Sequence, residues 1–167
     1  MPIFKDKEIL RTRYQPSEIP FRDEQIKLVA SILAPVLRGE RTSNLFLYGK
    51  TGTGKTLVAK HVTGTIVSIA QDNKISLKVI YLNCKLRRVA DTEYRLIAQL
   101  AREFGVELPA TGLPTDEVYK IFLKHIDVEK KLIILILDEI DQLVKKAGDE
   151  ILYNLTRINS ELKNVEL

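Results

Sequence analysis

Apolar positions from about Asp23 fall near helical spacing, at Ile26, Val29, Ile32, Leu33, Val36 and Leu37, and Gly39 ends the run; this predicts a helix. The 22 residues before it, punctuated by Pro16 and Pro20, read as an irregular arm. Asn44 to Tyr48 is a short apolar stretch that predicts a strand, followed by a glycine-rich turn from Gly49 to Thr56. A second helix is predicted through Leu57, Val58 and Val62 toward Ala70, and a second strand over Lys78 to Asn83. Asp91 is the expected cap of a helix carrying Ile97, Leu100, Ala101 and Phe104, which Gly105 closes. After a loop from Pro109 to Pro114, Thr115 is the expected cap of another helix, with Asp116 and Glu117 in its first turn. Leu132 to Leu137 is apolar on both faces, as a strand inside a parallel sheet should be. Asp149 caps a last predicted helix through Leu155 and Ile158. Strands alternating with helices give an α/β layered fold.

Composition adds limits. The 167 residues amount to one domain with a real core. The longest apolar run has six residues, far short of the roughly 20 needed to span a bilayer. Lys5, Asp6, Lys7 and Glu8 near the N-terminus do not resemble a secretory signal. A single cysteine, Cys84, cannot form an internal disulfide, so the expected setting is cytoplasmic. The net charge of +4 is uneven: residues 1–60 carry eleven basic and six acidic side chains, whereas residues 61–167 carry fifteen and sixteen. Lys50, Lys55 and Lys60 of the basic third lie in or beside the glycine-rich turn. A phosphate ligand explains that excess as well as a nucleic-acid surface does.

The turn reads Gly49-Lys50-Thr51-Gly52-Thr53-Gly54-Lys55-Thr56, the pattern GxxxxGK[ST] between a predicted strand and a helix. Glycines let the backbone turn its N–H groups inward around a phosphate, and the helix adds its positive N-terminus. In that chemistry Lys55 reaches the β- and γ-phosphates and Thr56 offers its hydroxyl to Mg²⁺. The second motif is the apolar run ending in Asp138-Glu139. Carboxylates ending a buried strand are costly unless they meet cations. Asp138 is assigned to the magnesium shell and Glu139 to the attacking water, which it orients and deprotonates. Asp141, Lys145 and Lys146 read as solvated, His61 and His125 as ordinary helix residues, and Cys84 as a small buried residue at a strand end. No Cys/His spacing suggests zinc.

Gly49 to Thr56 together with Asp138-Glu139-Ile140-Asp141 resembles the AAA+ ATPase pattern. Three further stretches resemble the archaeal origin-recognition and cell-division-control initiators: Pro16 to Gln25, Thr111 to Pro114 with Glu117-Val118-Tyr119, and Leu152 to Asn159. The likeness runs from about Tyr14 to Leu162. It implies a P-loop NTPase fold, a three-layer parallel sheet with helices on both faces, incomplete at the C-terminus. Residues 1–22 would be an arm bordering the nucleotide and residues 23–167 the nucleotide-binding core.

By that resemblance Ile19, Pro20, Phe21 and Arg22 border the adenine, and Gly49, Thr51, Gly52, Thr53, Gly54, Lys55, Thr56 and Leu57 hold the nucleotide. Lys55, Asp138 and Glu139 are the catalytic set, with Thr56 and Asp138 for Mg²⁺. Cys84 to Tyr94 matches the stretch where the family carries a DNA-touching helix, making Lys85, Arg87 and Arg88 candidate phosphate contacts. The implied cofactors are ATP or ADP and Mg²⁺. The implied partners are double-stranded origin DNA, the replicative helicase and other initiator subunits, with a nucleoid-associated location and no membrane. In the family a strand with a polar sensor residue lies between the P-loop strand and the carboxylate-bearing strand, and here Leu167 falls about where it should begin. The expectation is therefore a fragment of a longer protein, or a truncated copy, with weak ATP hydrolysis of its own. Two alternatives remain at this point: another AAA+ enzyme, of clamp-loader or transposition-helper type, or an ADP-locked binding module without meaningful turnover.

Overall fold

The computed structural model describes residues 19–85, 92–109 and 112–167, and the run of apolar residues before Asp138 is a parallel strand in it, buried at Leu132 and Ile133 and half-buried along the rest. This strand, β2 (Lys131–Asp138), pairs in parallel with β1 (Leu77–Asn83), from Leu77 opposite Leu132 to Asn83 opposite Asp138. On its other side β2 meets β3 (Val165–Glu166), also in parallel, through Lys131 and Leu132. The order is β1-β2-β3.

Because side chains alternate across a strand, each face of β2 needs its own cover. On one face lie α1 (Asp23–Leu33) and α2 (Lys55–Asp72), whose Val29, Leu33, Val58, Val62 and Ile66 are buried with Leu132. On the other face α3 (Glu93–Glu103), α4 (Thr115–Ile126), α5 (Ile140–Ala147) and α6 (Glu150–Arg157) bury Leu96, Phe122, Leu143 and Ile151 with Ile80, Leu82 and Ile133. Helices on both faces of a parallel sheet make the expected three layers. After α1 the chain tightens into a 3₁₀ turn over Ala34–Arg38, because Pro35 brings no N–H to an α-ladder. Gly39 closes it in the left-handed region at φ +75°.

Several expectations need correction. The strand predicted over Asn44 to Tyr48 does not form: residues 40–50 carry no regular structure. Phe46 and Tyr48 are 70% and 85% exposed, their rings stacked at 6.2 Å. A strand is stable only against a partner ladder, and β3 runs beside β2 only as far as Leu132. Thr115 is the first residue of α4, with Pro114 at the cap position. The helix expected to be capped by Asp91 is capped by Thr92, whose hydroxyl accepts the Arg95 N–H at 3.3 Å; Asp91 itself lies outside the described residues. Asp149 holds the cap position of α6 without a side-chain bond to it. Helix α5, directly after Glu139, was not foreseen, whereas β3 begins beside β2 at Val165, close to Leu167, where a strand was expected to begin. Asp127 fixes β3, accepting the backbone N–H groups of Lys163, Asn164 and Val165 at 2.9, 2.6 and 3.1 Å.

Candidate functional site

The site forms where the N-terminus of α2 meets the C-terminal end of β2. The turn before α2 is shaped by three glycines at positive φ, +148° at Gly49, +82° at Gly52 and +85° at Gly54, conformations that a side chain would strain. Thr53 Oγ1 donates to the Lys50 carbonyl at 2.8 Å, and Lys55 Nζ donates to the carbonyls of Gly49 and Lys50, each at 2.9 Å. Gly49, Thr51, Gly52 and Thr53 are exposed, whereas Gly54, Lys55, Thr56 and Leu57 are half-buried. Lys55 thus folds back on its own loop at the N-terminus of α2, a helix end that suits an anion.

The second motif closes on it. Thr56 Oγ1 donates to Asp138 Oδ2 at 2.9 Å across 82 residues of chain. The Tyr81 hydroxyl donates to the same oxygen at 2.5 Å, and the Glu139 N–H donates to Oδ1 at 3.1 Å. Burial, reinforced by the bond to Asp138 and opposed by Asn83, pushes the Tyr81 phenol up to about 12, so it remains a protonated donor. Glu139 sits half-buried at the start of α5 in the left-handed region, φ +56°. Such strain in a non-glycine residue clusters at functional sites. The hydroxyl of Thr56 beside the carboxylate of Asp138 is a hard-oxygen pair of the kind Mg²⁺ takes, with one or two protein donors completed by phosphate and water. Among the described residues no group of three or more His, Cys, Asp or Glu could hold a metal alone.

The structure brings Arg22 to this loop: a side chain at Gly54 would meet Arg22 Nε at 3.8 Å. Ile19 is buried, Pro20 exposed, and Phe21 is 93% exposed at φ +61°. Lys85 is exposed just past β1, its N–H donating to Asn83 Oδ1 at 2.9 Å; Arg87 and Arg88 lie outside the described residues. Asp141 pairs at the surface with Lys145 at 3.1 Å, and that bond holds its carboxyl below the ordinary range. Cys84 is fully buried, and burial, followed by the charges of Asp138 and Asp141, pushes its thiol up to about 11, a reluctant nucleophile. His125 Nδ1 lies 2.7 Å from the Ile121 carbonyl.

Sequence reasoning missed Tyr81, and it placed Lys60 beside the glycine-rich turn without its partner: the Lys60 Nζ stands 3.9 Å over the Tyr81 ring. Tyr81 belongs to no motif and meets Asp138 through the β1–β2 register, while Lys60 reaches Tyr81 from α2, one turn beyond Thr56. It also missed Glu93, whose Oε1 accepts from Tyr119 and Asn154, each at 2.8 Å, joining α3, α4 and α6.

Comparison with known proteins fits this geometry. The AAA domain family model matches residues 38–167. An ORC1-type DNA replication protein of Pyrococcus abyssi is 50% identical over 99% of this chain and 40% of its own length. ORC1-type DNA replication protein 1 of Methanosarcina acetivorans is 49% identical over 99% of this chain and 39% of its own. Among solved structures, the ORC1 protein of Aeropyrum pernix, determined in complex with DNA, superposes with a TM-score of 0.87 at 40% identity, covering 96% of this chain and 42% of that one. The chain therefore spans 40% or less of the length of these two curated relatives.

Proposed function

The chain belongs to the AAA domain family, and from that membership we propose that it is the ATP-binding and ATP-hydrolysing module of a DNA replication initiator. The observation that carries the reading is the 2.9 Å bond between Thr56 and Asp138, which joins the glycine-rich loop to the carboxylate pair. Gly49, Thr51, Gly52, Thr53, Gly54, Lys55, Thr56 and Leu57 hold the nucleotide, with the loop N–H groups and Lys55 on its phosphates. Ile19, Pro20, Phe21 and Arg22 border the base, residues 1–22 forming its arm and 23–167 the core. The nearness of Arg22 to Gly54 supports that role.

Magnesium, when bound, neutralises charge developing on the transferred phosphoryl group, and Thr56 and Asp138 would hold it. Glu139 orients and deprotonates the water. DNA is a partner by likeness to the Aeropyrum pernix protein solved with it. Lys85, Arg87 and Arg88 give sequence-independent phosphate contacts, consistent with a nucleoid location. The helicase and other initiator subunits follow as partners of an initiator. A clamp-loader or transposition-helper ATPase is not favoured, because relatives at about half identity over nearly the whole chain are ORC1-type replication proteins. Turnover separates the proposal from an ADP-locked module, and the 167 residues alone should turn over slowly. In a chain of the relatives' full length, Glu139→Gln should keep ATP binding and lose steady-state hydrolysis. Normal turnover by that variant would place water activation elsewhere.

A further inference from the structure

Asp138 ends β2 with its carboxylate held from three directions. Oδ2 accepts the Thr56 hydroxyl at 2.9 Å and the Tyr81 hydroxyl at 2.5 Å, and Oδ1 accepts the Glu139 N–H at 3.1 Å. A carboxylate has roughly four acceptor sites, so these bonds leave its remaining capacity on Oδ1. The terminal torsion of an aspartate is otherwise broad and nearly two-fold. Tyr81 reaches Asp138 because Tyr81 pairs with Ile136 and Asn83 with Asp138, which puts both side chains on the face that α2 covers. Tyr81 is half-buried at a shallow open groove lined also by Lys60, Thr63, Gly64, Val67 and Val79. What steadies it is Lys60 Nζ, 3.9 Å above the ring, and Lys60 stands one helical turn beyond Thr56 on α2. One helix therefore supplies both a hydroxyl to Asp138 and the cation that holds Tyr81.

We propose that Tyr81, held by Lys60, is a positioning residue for Asp138: its hydroxyl fixes the carboxylate in the orientation that receives the nucleotide's divalent cation. The inference rests on the nucleotide reading above. Thr56 and the Glu139 N–H each donate one bond, to Oδ2 and Oδ1, and the Tyr81 hydroxyl adds the second bond on Oδ2, the shortest of the three. Tyr81→Phe removes the second bond while keeping the ring and its contact with Lys60.

The test is ADP titration calorimetry on the chain, wild type and Tyr81→Phe, with Mg²⁺ and with EDTA, alongside electron paramagnetic resonance of Mn²⁺ bound with ADP. Tyr81→Phe should leave the EDTA affinity unchanged, reduce the Mg²⁺-dependent gain about tenfold, the effect of one hydrogen bond to a charged group, and broaden the Mn²⁺ lines. An undiminished gain with unaltered lines would overturn the proposal while leaving the nucleotide reading intact. Absence of ADP binding by wild type in either condition would overturn both. Should Tyr81→Phe fail to fold, Lys60→Gln takes its place, with an expected loss of about threefold in the same gain; no loss there overturns the proposal equally.

Discussion

Phe21 holds its backbone at φ +61° while its ring is 93% exposed, so it bears strain without the reward of burial. A bulky residue in that region costs on the order of 1–3 kcal/mol. If the ring meets the base of a nucleotide, Phe21→Gly should not lower the melting temperature but should weaken ATP binding. Calorimetry alongside a melt checks this, and equal ATP affinity would leave the aromatic ring without a role at the site. At this scale the sequence was legible wherever chemistry needs contiguous residues. Gly49 to Thr56 and Asp138-Glu139 each stand as one run in the chain, and the structure joins the two runs through Thr56 and Asp138. Tyr81 could not be read in this way, since its bond to Asp138 depends on a strand register and on the placement of α2.

Strand β3 is held by a side chain outside the sheet, that of Asp127. The bonds from the Asn164, Lys163 and Val165 backbone hold the Asp127 carboxyl below the ordinary carboxylate range. A carboxyl lowered on folding contributes stability that is complete above the unfolded value of about 4 and is lost as pH falls through the lower folded value. The amide resonances of Lys163 to Val165 should therefore be constant above about pH 4 and shift together below it. In Asp127→Asn that acid transition should vanish; its persistence would assign it to another group. Apolar spacing revealed α1, α2, α3 and β1, an apolar run revealed β2, and cap residues pointed to α4 and α6. It misjudged Asn44 to Tyr48, whose apolar residues are as suited to a strand as those of β1 but have no neighbouring ladder. Hydrophobic pattern records what a segment could bury; a strand also needs hydrogen-bond partners, which lie elsewhere in the chain. The short α5 was hidden for a different reason, since Glu139 enters it in a left-handed conformation that no cap residue announces.

For the molecule as a whole, two apolar cores sandwich the parallel sheet, one under α1 and α2, the other under α3 to α6. The site lies at the end of the sheet where a helix from the first layer meets the strand that divides them. That division was legible from the α/β alternation, and membership of the AAA domain family agrees with it. The nucleotide and Mg²⁺ roles depend on one pairing, the loop that carries Lys55 with the strand that carries Asp138. Titration of ATP into wild type and Lys55→Ala puts that pairing to the test. Wild type should bind, and Lys55→Ala should bind more weakly by about 1.5–3 kcal/mol, the range for a hydrogen bond to a charged group. Equal affinity of the two proteins, or no binding by wild type, would mean that this loop is not a phosphate site.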